Sequence, residues 1–272
     1  MKRGAWLLSF AGLLKMLTGC ATSGDAKMTD FKPVLDQGIP TGFLNKTLSN
    51  GHKTWRYVVY VPHDYSPNKE WPLIIFLHGA GERGSDGLKH TQVGIGAAIR
   101  LYPERFPAIV LFPQCPDDGF WDLILDPMET ALQHTREAYK IDPKRIYLTG
   151  LSMGGFGAWI WGAEKSDTFA ALIPICGGGD VAQIEKLLDR KLTHDFGTME
   201  ERTKKLATLP IWAFHGAKDP AVPPAASRTM VELVKKAGGN VKYTEFPHAE
   251  HNSWDDAYQD EETAKWLFKQ HK

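Results

Sequence analysis

The chain has 272 residues, 43% hydrophobic and 24% charged, and its 32 Lys and Arg balance 32 Asp and Glu. Such a composition excludes a disordered chain and is sufficient for one sizeable buried core. With no net charge and no Lys/Arg cluster interleaved with aromatics, the sequence carries no electrostatic footprint for a nucleic-acid partner.

The N-terminus differs in kind from the rest. Lys2 and Arg3 precede a mostly apolar run over residues 5–17 that is too short to span a bilayer. Leu17-Thr18-Gly19-Cys20 resembles a bacterial lipobox, so residues 1–20 are read as a lipoprotein signal peptide cleaved before Cys20, which would then carry a lipid. An ordinary secretory signal or a fraying helix is the alternative. Ala21, where Asp would favour retention, points to the outer membrane of a Gram-negative bacterium, facing the periplasm or the cell surface. Residues 21–30 are small and polar and read as a flexible tether. Residues 31–272 show no repeat or composition shift and read as one domain.

Apolar runs then alternate with helical patterns, which predicts an α/β fold: a mainly parallel central sheet flanked by helices. Strands are expected at Thr54–Val61, Leu73–Leu77, Ala108–Phe112, Arg145–Thr149, Ala170–Ile175, Ile211–Phe214 and Val241–Phe246. Asp126-Pro127-Met128-Glu129 has the form of a helix start with a capping aspartate. Met153–Ala163 reads as a helix, and Pro224–Ala237 as an amphipathic one stopped by Gly238-Gly239. A last helix is expected after Ser253 as its cap, with Ala257, Ala264 and Leu267 or Phe268 on its apolar face. Residues 180–209 read as two short helices, Val181–Leu192 and Met199–Ala207, the second opened by a Thr198/Glu201 capping box. The length of this connection is generous for neighbouring strands, and it is read as a helical insertion or lid over the site. A plain crossover is the alternative.

Gly150-Leu151-Ser152-Met153-Gly154 is a Gly-x-Ser-x-Gly elbow between a buried strand and a helix. A serine hydroxyl attacks carbonyl carbon only when presented bare, beside a base and next to donors for the developing oxyanion, and a sharp strand-to-helix turn does this. Ser152 is therefore the candidate nucleophile. In the chain order Ser, acid, His, Asp219 is the candidate acid, just after a buried strand, with Asp180 as a rival that looks more like a helix cap. His251 is the candidate base, lying further into its loop than the competing His248. The oxyanion donors are expected at the amides of Met153 and Ala80, with Gly81 second to Ala80. Trp121, after the Ala108–Phe112 strand, is read as a substrate contact for an aromatic acyl group or sugar ring, with core packing as the alternative. The His248-x-x-His251 spacing lacks the glutamate placement and third ligand of a zinc site, so no metal is expected. The chemistry needs no cofactor.

These segments resemble the α/β-hydrolase superfamily, and more closely bacterial esterases of the feruloyl-esterase and polyhydroxybutyrate-depolymerase type, also labelled predicted peptidases or phospholipase/carboxylesterases. The resemblance is carried by Tyr57–Pro62, Leu77–Gly84, Phe112–Pro116, the Ser152 elbow, Trp212–Asp219 and His251–Trp254, and it spans most of residues 54–268. It implies an α/β-hydrolase fold, a Ser152–His251–Asp219 triad and hydrolysis of carboxylic esters, small or polysaccharide-linked, such as feruloyl or acetyl esters. A serine peptidase of the same fold and a non-catalytic surface binding lipoprotein are the rival readings. The long 180–209 segment departs from shorter family members. The family's strand order would also hold Cys115 and Cys176 roughly 14 Å apart, beyond the ~7 Å that a disulfide spans, so both are expected as free thiols.

Overall fold

In the computed structural model, residues 38–272 are described. The expected signal peptide, tether and Cys20 lie outside them. Pro40–Lys272 forms one unit around an eight-stranded sheet. Its strands are β1 (Gly42–Ser49), β2 (Thr54–Val61), β3 (Trp71–Leu77), β4 (Ile109–Pro113), β5 (Ile141–Leu151), β6 (Ala171–Ile175), β7 (Ile211–Gly216) and β8 (Val241–Phe246). They lie in the order β1-β2-β4-β3-β5-β6-β7-β8, antiparallel across β1-β2 and β2-β4 and parallel from β4 to β8.

The central strands are apolar throughout because both their faces are covered. Along β3, Leu73, Ile75 and Leu77 enter one core and Ile74 and Phe76 the other. The first core is closed by α2 (Leu125–Ala138), α3 (Met153–Glu164), α4 (Val181–Leu188), α5 (Met199–Leu206) and α6 (Ala225–Lys236). The second is closed by α1 (Ile95–Leu101), α7 (Trp254–Gln259) and α8 (Glu261–Phe268). Among the described residues no helix is long and apolar enough to cross a membrane.

The chain runs from β3 outward to β4 and returns to β5 on the other side of β3. The loops leaving β3 and β5 therefore part at the carboxyl ends of the strands, where open α/β sheets place their ligand crevice. The same order sets β3 and β5 between the strands preceding Cys115 and Cys176, and both thiols are free and buried.

Several local expectations need correction. β1 carries few apolar residues and was not expected; it is an edge strand whose Lys46 faces solvent, a common protection against edge pairing. The expected aspartate cap at Asp126 is absent: a 3-10 turn at Trp121–Ile124 runs straight into α2, so Asp126 lies inside the first turn. The single terminal helix is two, because Asp260 breaks it and caps α8 through Glu262 N–H. Ser253 makes no side-chain cap to α7. α4 ends at Leu188 rather than Leu192, stopped by Asp189 in the left-handed region at φ 51°.

Candidate active site

β5 ends at the elbow. Ser152 adopts φ 53°, ψ −118°, a region a side chain enters only under constraint, and its amide donates to Ile175 O at 3.0 Å. The constraint is steric. A Cβ on Gly154 would strike the Leu77 carbonyl oxygen, and one on Gly150 the Gly154 carbonyl oxygen, so only glycine lets β5, β3 and α3 converge here. The turn presents Ser152 Oγ at the top of the sheet.

Two further loops meet it there. Asp219 follows β7, and His251 follows β8. Ser152 Oγ–H donates to His251 Nε2 at 2.9 Å, and His251 Nδ1–H donates to Asp219 Oδ2 at 2.7 Å. That tautomer follows from the partners, since the carboxylate can only accept. The Asp219 side chain is fully buried. Its other oxygen, Oδ1, accepts the amides of Ala221 and Val222, both at 2.9 Å. The set is a linear relay from a buried carboxylate to a half-buried hydroxyl.

Met153 opens α3, so its amide has no partner within the helix and lies directly after Ser152. Ala80 starts the 3-10 turn Ala80–Glu82 after β3 and borders the same cleft as Ser152 and Met153. The neighbouring Gly79 amide is already engaged, donating to Glu82 Oε2 at 3.0 Å. Gly81 does not line the cleft.

His78 holds this loop in place. Its Nδ1–H donates to Gly79 O at 2.6 Å, and its Nε2 accepts the Cys115 amide at 3.0 Å. Both nitrogens are satisfied only in the neutral ring, and burial pushes the pKa down to about 3. In the sequence His78 falls within the resembling Leu77–Gly84 segment without an assigned role. A histidine ending a buried strand was the available signal.

Trp121 is a correction. It is fully buried beneath the cleft, its Nε1–H donating to Met153 O at 3.1 Å, its ring packed edge-on against His78 at 4.9 Å and against Gly157. The indole is covered because the Trp121–Ile124 turn folds under α3, so it supports the elbow and presents no face to a ligand. The rival residues also lie elsewhere. Asp180 caps α4 through Ala182 N–H, and the exposed His248 pairs with Asp256 at 3.1 Å.

The cleft beside Ser152 has a volume of about 420 Å³. Its apolar lining residues are Phe120, Phe156, Val222 and, from α4, Ile184, Leu187 and Leu188. Its polar lining residues are Arg83, Asp117, Asp118 and Arg190. Arg190 makes a two-pronged ion pair with Asp122, at 2.8 and 3.0 Å, and Thr193 adds its amide at 2.7 Å and its hydroxyl at 2.9 Å. Burial opposes ionisation of Asp122, yet these hydrogen bonds hold its carboxyl below the usual range. The 180–209 segment is thereby pinned to the body as a wall of the cleft, an anchorage that could not be foreseen from residues 68 apart.

Potential ligand atoms of Cys176, Asp219 and His251 lie within 4.8 Å of one another. The donor set suits a metal poorly: Asp219 and His251 are spent on each other, and burial pushes the Cys176 thiol up, away from the thiolate a metal needs.

A secreted protein of Arthroderma benhamiae is 27% identical over 66% of this chain and 21% of its own length. A bifunctional acetylxylan esterase/xylanase of Neocallimastix patriciarum is 28% identical over 59% of this chain and 21% of its own length. The chain thus spans about a fifth of these relatives. Among solved structures, a thermostable esterase superposes with a TM-score of 0.66 and 34% identity, over 85% of this chain and 63% of that one. The fold is that of the α/β-hydrolases. The prolyl oligopeptidase family model matches residues 124–271, a stretch that begins before the elbow and contains Ser152, Asp219 and His251. With more than half of its length matched, across β5 to α8, the chain belongs to the prolyl oligopeptidase family.

Proposed function

We propose that this chain is a serine carboxylic-ester hydrolase with Ser152, His251 and Asp219 as its triad. The observation that carries the reading is the relay of 2.7 and 2.9 Å ending on a hydroxyl at a strained elbow. Ser152 Oγ gives its proton to His251 Nε2 as it attacks the ester carbonyl. The amides of Met153 and Ala80 receive the oxyanion, and Asp219 holds the imidazolium that forms. Collapse expels the alcohol, which leaves with the His251 proton. Water then gives a proton to the same nitrogen, attacks the acyl-enzyme and releases the acid, restoring Ser152. No cofactor takes part.

The apolar and polar lining residues offer different contacts to substrate. An acyl group packs on Phe120, Phe156 and the α4 leucines, while Arg83, Asp117 and Asp118 offer hydrogen bonds to a polar alcohol. Feruloyl or acetyl esters of plant polysaccharide suit this division, and the resemblance to an acetylxylan esterase supports them. Export and lipidation of Cys20 complete the reading, attaching the enzyme to the outer membrane. They rest on the lipobox, and mass spectrometry of the mature N-terminus should find Cys20 as a lipid-modified first residue. An unmodified N-terminus elsewhere would remove the anchor.

The family match favours one rival, a serine peptidase, because the same triad cleaves amides. A panel separates them: p-nitrophenyl acetate to octanoate, methyl ferulate, acetylated xylan and an aminoacyl-p-nitroanilide, each with wild type and Ser152→Ala. Ester turnover that falls on the order of 10⁶-fold in kcat on losing Ser152 is expected. Turnover of the anilide alone makes the chain a peptidase. Silence on every substrate, with no labelling by a fluorophosphonate, makes it a binding protein.

A further inference from the structure

The buried histidine behind the acid has no part in the steps above. His215 lies near the end of β7 with its side chain fully buried. Its Nε2 faces two acceptors, Asp219 Oδ2 at 3.1 Å and Val222 O at 2.9 Å. Its Nδ1 lies 2.7 Å from Ser227 Oγ on α6, and that hydroxyl is 2.8 Å from Gly177 O. Burial lowers the pKa of this imidazole, outweighing the raising influence of Val222 O and Asp219. A neutral ring has one proton, and only Nε2 needs it, because a carbonyl and a carboxylate cannot donate. Nδ1 is left facing Ser227 Oγ, whose single proton can serve either Nδ1 or Gly177 O, and this buried hydroxyl ties the ring to the loop behind the elbow.

Asp219 is thereby gripped from three sides. Oδ1 takes two backbone amides, and Oδ2 sits between the N–H groups of His251 and His215. The amides fix one oxygen. A second donor on Oδ2, besides His251, restrains the rotation of the carboxylate about its own axis, and so the direction in which His251 is held. We propose that His215 is a positioning residue that, anchored by Ser227, sets the Asp219 carboxylate for His251. The proposal rests on the triad reading above.

Two readouts test it, one independent of substrate. In kinetics with a p-nitrophenyl ester, His215→Ala should lower kcat about a hundredfold with KM little changed, since the relay and not the cleft is displaced. Gln places an N–H where Nε2 stands and Asn does not, so His215→Gln should recover to within about tenfold of wild type and His215→Asn should not. Ser227→Ala, which leaves Asp219 untouched, should give a smaller loss of the same kind. In parallel, the ¹⁵N shift of His251 Nδ1, recorded on the whole protein at fixed pH, should move in His215→Ala and His215→Asn and return in His215→Gln. A nitrogen that does not move, a kcat indifferent to His215→Ala, or equal loss in all three His215 variants overturns the proposal. If wild type turns over neither ester nor anilide, the triad reading fails by itself, and the nitrogen shift still decides whether His215 holds the pair.

Discussion

Individual side chains around the cleft are constrained by having only one workable protonation or rotamer state. His78 and His90 are the clearest cases. Both are buried within the β3–β4 region, and burial pushes their pKa values down to about 3 and about 4. His90 Nε2–H donates to Phe112 O at 3.1 Å, while its Nδ1 is buried without a partner. A histidine whose folded pKa lies below the unfolded value of about 6.5 binds its proton on unfolding, so stability falls as pH drops through that window and is unaffected above it. Urea unfolding at pH 7 and pH 5 should therefore show a marked loss at the lower pH. In His90→Gln, which keeps the donor to Phe112 but cannot titrate, that loss should be smaller by about 2 kcal/mol. An equally steep loss in the variant would show that His90 is not held neutral by the fold.

At the level of elements, the α4 wall depends on one buried carboxylate. Asp122 lies in the turn before α2 and is fully buried, yet it receives the Arg190 guanidinium and both Thr193 groups from the segment after α4. Removing one partner of such a pair strands the other charge, at a cost of about 3 kcal/mol. Arg190→Met should lower stability by about that amount and loosen α4, whose Ile184, Leu187 and Leu188 line the cleft. The ratio of kcat/KM for p-nitrophenyl octanoate over acetate should then rise, with Ser152 still active. An unchanged ratio would mean that α4 does not set acyl length. The capping box of α5 is a contrasting case. Thr198 Oγ1 accepts Glu201 N–H at 3.2 Å, Glu201 Oε2 accepts Thr198 N–H at 2.7 Å, and the pattern is local enough to read from four residues.

For the whole molecule, the question is which relations are local along the chain. The strand pattern was legible because a central strand covered on both faces must be apolar at every position, as β3, β4 and β6 are. The elbow was legible because its pattern is contiguous over five residues, although part of the steric demand on its glycines comes from Leu77 O on β3. Asp219 and His251 followed from the order of strand ends, each loop emerging on the edge of a parallel sheet that bears Ser152. β1 was not legible, since an edge strand half in solvent needs no apolar pattern, and neither was the division of the last helix at Asp260. The burial of Trp121 was decided by the turn that folds it under α3, and the anchoring of α4 by a carboxylate far away in sequence. Sequence alone thus determined the parallel sheet, the elbow and the order in which nucleophile, acid and base candidates occur, because periodicity and the five-residue elbow pattern are written in neighbouring residues. Tertiary structure alone decided which side chains face the cleft, which lie beneath it, and that His215 stands behind Asp219, because burial and hydrogen-bond partners come from elements that meet only on folding.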